Sequence, residues 1–275
     1  MASHAEQLEY MLGRSHDEHD RLKRQGRLIS KITRHFLEAM GLHSGMRVLD
    51  VGCGVGDVAL LAASMVAPDG QVVGIDLDEA ALRMARHRAA VEELHNVQFR
   101  AADFQKYMSD GMFDAVIGRC VLLHQQNPGT ALSSVAQYVR SGGIIGFQEP
   151  WFSRGFSFPR VPLFEEVIRW LHSTVEASGL DGNVGLRLPF IFASIGLPAP
   201  KLTFEMLVDC SPDSEVCEFV AHTVRSLLPR LEQLGIVSSA RVQVDTLAGR
   251  LRQEQAELGG VVGVMPLLGA WCRKP

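Results

Sequence analysis

Apolar positions recur along this chain at two different periods, and the changes between them mark out its elements. Leu22, Ile29, Ile32, Phe36 and Met40 fall on one face of a helix. The spacing predicts an N-terminal helix that lays an apolar stripe on a sheet before the turn at Gly41 to Gly45. Short runs then read as strands: Met46 to Val51, Gln71 to Asp76, Asn96 to Arg100, Phe113 to Gly118 and Ile144 to Glu149, with helical stretches between them. Asn127 and Pro128 read as cap and first residue of a helix over Thr130 to Val139, with Gly142 as its stop. Alternation of this kind to about residue 150 implies an α/β fold with a doubly wound parallel sheet. Ligands of such sheets bind beyond the carboxyl ends of the strands, where the strand order reverses.

After Trp151 the rhythm lapses into Phe152, Phe156, Phe158, Pro159 and Pro162, followed by a helical pattern with Phe164, Val167, Ile168 and Leu171. This stretch reads as an insertion that forms a cap, its aromatic residues serving mainly to pack a core. Lys201 to Val208 resumes strand character, helical patterns start at Asp213 and Ser239, the first interrupted by Pro229, and Val261 to Trp271 closes the chain. The expected organisation is one domain over 1–275. Within it lie a helical cover (1–40), a ligand-binding core (45–150), a cap insertion (151–200) and C-terminal strands and helices that complete the sheet (201–275).

Composition narrows the function classes. With 47% apolar residues the 275-residue chain can bury one large core. Val58 to Ala67, its longest apolar stretch, is too short to span a bilayer, and the polar start Met1 to Gln7 lacks the apolar region of a signal peptide. A cytoplasmic protein without a membrane partner is expected. The formal charge of −4, with no basic cluster, argues against a nucleic-acid surface. Cys53, Cys120, Cys210, Cys217 and Cys272 form no C-x-x-C pair, so no zinc or redox motif is suggested and no metal is expected.

The chemistry concentrates at Asp50-Val51-Gly52-Cys53-Gly54-Val55-Gly56, where an apolar strand turns into a helix. Glycines there permit positive φ and let the backbone approach a ligand closely. The acid ahead of them would repel a pyrophosphate and attract an ammonium or a sulfonium-bearing amino acid. Asp76, at the end of the next strand, is placed to accept both hydroxyl hydrogens of a ribose.

With Asp103-Phe104 after the third strand and Phe113-Asp114-Ala115-Val116 opening the fourth, the chain resembles the class I S-adenosylmethionine-dependent methyltransferases. The resemblance covers about residues 45 to 150 and implies S-adenosylmethionine as cofactor. It also implies a Rossmann-like sheet of seven strands, the last antiparallel. By the same resemblance Asp103 takes the adenine amino group, the ring lies against Phe104, Leu77 is a further cofactor-binding residue, and Arg119 lies at the methionine end. Tyr10-Met11-Leu12-Gly13-Arg14-Ser15, with Gln25 further on, is similar to the N-terminal segment of a bacterial small-molecule subgroup, in which this stretch folds over the cofactor. Nucleobase and glutamine methylation are disfavoured, since Gly118-Arg119-Cys120-Val121 stands where those enzymes carry an N/D-P-P-Y turn.

Methyl transfer needs contact between acceptor and methyl group, exclusion of water and sometimes removal of a proton. His124, just past the fourth strand, is the first candidate for that proton, or else a residue that ties its loop to backbone groups. Glu149, at the tip of the fifth strand, would orient an acceptor or stay exposed in a loop. Arg119 would pair with Asp50 or another motif acid, a role compatible with cofactor binding. The leading expectation is methyl transfer to a small, apolar or aromatic metabolite by a monomer or homodimer. Its alternatives are a cyclase or isomerase that keeps the cofactor without methylating, a nicotinamide-dependent reductase, which Asp50 disfavours, and a non-catalytic binding protein, against which the three acids Asp50, Asp76 and Asp103 speak.

Overall fold

The computed structural model describes residues 16–152 and 155–275, with side chains from residue 26 onward. In chain order the elements are α1 (His16–Met40), β1 (Arg47–Val51), α2 (Asp57–Val66), β2 (Gln71–Asp76), α3 (Glu79–Val91), β3 (Val97–Ala101) and β4 (Phe113–Arg119). A 3₁₀ turn (Leu122–His124) precedes α4 (Pro128–Ala136), β5 (Val139–Pro150), β6 (Phe156–Phe158), α5 (Pro162–Ala177) and α6 (Val184–Ser194). The chain ends with β7 (Lys201–Asp209), α7 (Glu215–Gln233), α8 (Ser239–Val242), α9 (Val244–Leu258) and β8 (Val261–Arg273).

The strands pair in the order β3-β2-β1-β4-β5-β8-β6, and β7 also pairs with β8. β1 to β5 run parallel. β8 is antiparallel: Lys274 lies beside Gly142 and Gly143 while Pro266 lies beside Trp151, and β6 opposes it through Phe156↔Gly263. The order reverses between β2-β1 and β1-β4, so the switch point falls at the carboxyl end of β1, directly before the glycine turn. This is the doubly wound α/β sheet expected from the strand rhythm, and the Rossmann-like one that the resemblance implies. It has eight strands rather than seven among the described residues, the extra one being the three-residue β6.

The chain forms two compact units. One comprises Ile29–Glu149, Val184–Phe204 and Leu267–Pro275, the other, among the described residues, 16–28, Pro150–Asn183 and Glu205–Pro266. The stretch 151–200, read as one insertion, is therefore divided between them. In the first unit Ile29, Ile32, Phe36 and Met40 are buried as the helical spacing requires, and α2 buries Val58, Ala59, Leu60, Ala62, Ala63 and Val66. Phe36 meets Trp271 edge to face at 5.9 Å between centroids, an arrangement favoured by ring quadrupoles.

Several boundaries differ from expectation for physical reasons. Asn127 caps α4 as read, its Oδ1 accepting from the Thr130 N–H at 3.0 Å, but the helix ends at Ala136. Gly142 lies inside β5, in a left-handed conformation where β5 loses register with β4, and stops nothing. Pro229 does not interrupt α7, because Val216, Phe219, Val220, Val224, Leu227 and Leu231 are buried on both sides of it. That burial outweighs the ~3 kcal/mol cost of an internal proline. The pattern from Ser239 is two helices, divided at Gln243 by its positive φ of 47°. Phe156 and Phe158 are exposed on β6, whereas Phe164 and Trp170 supply core. All five cysteines are free. Among the described residues no helix is long and apolar enough to cross a membrane.

Candidate functional site

Every site residue with a described side chain belongs to the unit made of Ile29–Glu149, Val184–Phe204 and Leu267–Pro275. Register aligns their ends: Val51 stands opposite Ile75 and Gly118, Asp76 opposite Ala101, and Arg119 opposite Gln148. The acid and glycine residues that follow these positions therefore gather at one edge of the sheet.

Two of the turn's glycines serve different ends. Gly52 has φ 64°, and a Cβ there would lie 2.7 Å from Val121 Cγ2, so this glycine lets β1 pass closely beside the residue that follows the β4 loop. Gly54 has φ 52°, and a Cβ there would meet no atom within 4 Å. Its missing side chain leaves open space beside the turn.

Asp76 reaches back to this turn. Its Oδ2 accepts from the Gly54 N–H and its Oδ1 from the Asp78 N–H, each at 2.8 Å. The carboxylate is thereby fixed in orientation while each oxygen keeps a further lone pair for an incoming hydroxyl. Leu77, next in sequence, is 53% exposed, an apolar side chain lying open beside the acid. Asp103 accepts from the Gln105 N–H at 3.0 Å and lies 3.5 Å from Lys106, an exposed pair of little energetic weight. Phe104 is half-buried beside it.

Asp50 is only 1% exposed, and its Oδ2 has no hydrogen-bond partner. Burial pushes its carboxyl up to about 8, Arg119 opposes the shift, and Asp76 and Asp57 add to it. A buried carboxyl oxygen without a donor is rare in folded chains.

Arg119 belongs to a network that sequence reasoning did not resolve. Its guanidinium donates to Thr33 Oγ1 at 3.0 Å and pairs with Asp57 at 3.5 Å, and Thr33 donates in turn to Gln148 Oε1 at 2.9 Å. Arg88 holds the other Asp57 oxygen at 2.6 Å. Asp57 also opens α2, where a negative charge complements the helix dipole. The partner of Arg119 is thus Asp57, and Asp50 feels it only through its field. The sole signal in the sequence was Asp57 itself, directly after the last glycine.

Glu149 is wholly buried, not exposed in a loop. Its Oε1 accepts from the N–H groups of Val121 and Leu122 at 2.9 and 2.8 Å, and its Oε2 from Leu123 at 3.3 Å. Burial pushes its carboxyl up to about 7 against the pull of those three donors. His124 closes the same turn and is half-buried. Cys120, before the turn, adopts a positive φ of 57°, uncommon for a residue with a side chain. Tyr10 lies outside the described residues, as does the side chain of Gln25.

Residues 42–178 match the family described as a methyltransferase domain. The chain belongs to the class I S-adenosylmethionine-dependent methyltransferases. A protein from a Streptomyces fradiae transposon, described as uncharacterized, is 30% identical over 193 residues, which are 70% of this chain and 55% of that one. A ubiquinone biosynthesis O-methyltransferase of Acinetobacter baylyi is 33% identical over 112 residues, 40% of this chain and 46% of that one. The chain thus spans about half the length of the curated relatives it matches. Among solved structures the cyclase SpnF shares the fold at 23% identity, with a TM-score of 0.51 over 89% of this chain and 81% of that one.

Proposed function

We propose that the chain binds S-adenosylmethionine at the carboxyl ends of β1 to β4 and transfers its methyl group to a small apolar or aromatic acceptor. The observation that carries the reading is Asp50 Oδ2, a buried oxygen without a donor at the head of a glycine turn whose middle glycine faces open space. An ammonium supplies the missing donor, and a phosphate does not.

In this reading Asp50 takes the amino group of the methionine moiety. Asp76, already oriented by Gly54 and Asp78, takes the ribose hydroxyls, Asp103 takes the adenine amino group, and Leu77 and Phe104 flank the ring. Arg119, held by Thr33 and Asp57, supplies positive charge that favours the ionised form of Asp50. When bound, the cofactor supplies an electrophilic methyl carbon on a sulfonium. His124 receives the proton from a hydroxyl acceptor, the general-base role that histidine most often fills. The ubiquinone relative is named as an O-methyltransferase, which agrees with such an acceptor.

The test is incubation of the full chain with S-adenosylmethionine and a panel of phenols and hydroquinones. Formation of S-adenosylhomocysteine together with a methylated product supports the reading. Because the fold is shared with a cyclase, conversion of a substrate with the cofactor's methyl retained would replace methyl transfer by a scaffolding role.

A further inference from the structure

Four consecutive N–H groups beyond β4 are held by two consecutive residues of β5. The Cys120 N–H donates to the Gln148 carbonyl at 2.9 Å, and the next three, from Val121 to Leu123, donate to the Glu149 carboxylate. These last three belong to the start of the 3₁₀ turn, where donors have no partner within the turn itself. The turn ends at His124, whose own N–H returns to the Val121 carbonyl at 3.2 Å.

We infer that Glu149 is a positioning residue for His124: its buried carboxylate stands in for a further residue of sheet ladder and sets the turn that presents the imidazole. The inference rests on the reading of His124 as the proton acceptor. A direct role for Glu149 on the acceptor fits less well, since the residue has no exposed surface and three of its roughly four acceptor positions are taken. An ionised carboxylate accepts from all three amides, and such charge-assisted bonds are about twice as strong as neutral ones. A glutamine there keeps the shape but turns an NH₂ group toward amides that also donate. Leu122 and Leu123, both buried, bind the turn to the core, so loss of the carboxylate loosens the turn without releasing it.

The experiment uses the ligand-free 275-residue chain labelled with ¹³C-histidine, the His124 ring signal being assigned by its loss in His124→Gln. In Glu149→Gln the His124 signal is expected to shift or broaden while the other histidine signals hold. Amide exchange at residues 121–123 should accelerate roughly tenfold or more, the scale of one lost charge-assisted hydrogen bond. Glu149→Asp, which keeps the charge on a shorter arm, should recover part of both effects. An unmoved His124 signal with unchanged exchange in folded Glu149→Gln overturns the inference. Should that variant fail to fold, the unaltered protein decides. Amides 121–123 exchanging as slowly as those of β4 support the inference, and exchange as fast as in exposed loops overturns it. Failure of S-adenosylhomocysteine to bind removes the functional reading and leaves the coupling of Glu149 to His124 measurable by itself.

Discussion

The Gly54 N–H donates to Asp76 Oδ2 at 2.8 Å, so the glycine turn after β1 and the acid after β2 form one rigid piece across the switch point. Asp76→Ala removes both that anchor and the acceptor proposed for the ribose. S-adenosylhomocysteine affinity should fall by about 10- to 150-fold, the equivalent of 1.5–3 kcal/mol for hydrogen bonds to a charged group. Calorimetric titration checks this, and an unchanged affinity would remove the ribose assignment.

Substitutions at Gly52 and Gly54 should separate. A Cβ at Gly54 meets only open space, so Gly54→Ala should cost about 1–2 kcal/mol of stability through its left-handed backbone while abolishing cofactor binding. Gly52→Ala adds a 2.7 Å encounter with Val121 and should lose about 1–3 kcal/mol beyond the backbone cost. Denaturant unfolding of the two variants beside their S-adenosylhomocysteine titrations gives the comparison.

The strand ends were legible in the sequence because each is announced locally, by an apolar run that closes in an acid or a glycine. Asp50, Gly52, Gly54 and Asp76 needed no knowledge of distant partners. The Arg119 network was not legible, since 86 residues separate Arg119 from Thr33 and nothing at Thr33 marks it as more than a polar position on an apolar helix face. Glu149 was found as a position and misread in its surroundings. Its partners are backbone amides 26 to 28 residues upstream, and backbone donors carry no residue code. Pro229 misled in the opposite sense, because tertiary burial overrode a local rule.

Binding should be linked to protons at Asp50. In the free protein its carboxyl titrates at about 8 and is largely protonated near neutrality, whereas an ammonium beside it favours the ionised form. Cofactor binding should then release a proton, and affinity should strengthen as pH rises toward 8. Calorimetry in buffers of different ionisation enthalpy measures the release, and heats that do not depend on the buffer would contradict it. Stability without ligand runs the other way. A folded value above the ordinary 3.8 means that the native state holds more protons than the unfolded chain, so this contribution is present below 3.8 and is lost as pH climbs through about 8.

Thr33→Val keeps the branched shape and removes the hydroxyl that accepts from Arg119 and donates to Gln148. The buried Gln148 and the half-buried Arg119 each lose a partner, which should cost about 1–3 kcal/mol of stability. The guanidinium, then held by Asp57 alone, should be less well placed and cofactor affinity should weaken. Full affinity in a destabilised Thr33→Val would confine the network to a structural role.

His124→Gln should lower turnover by roughly 10²-fold, the scale of general base catalysis, with cofactor affinity nearly unchanged. Parallel losses of stability and affinity would instead make the imidazole a tie for its loop.

The most direct measurement is titration of the purified chain with S-adenosylhomocysteine and, separately, with NADH. The cofactor assignment predicts saturable binding of S-adenosylhomocysteine at one site, lost in Asp50→Asn combined with Asp76→Ala, and no heat with NADH. Binding of NADH, or no binding of S-adenosylhomocysteine, would contradict it.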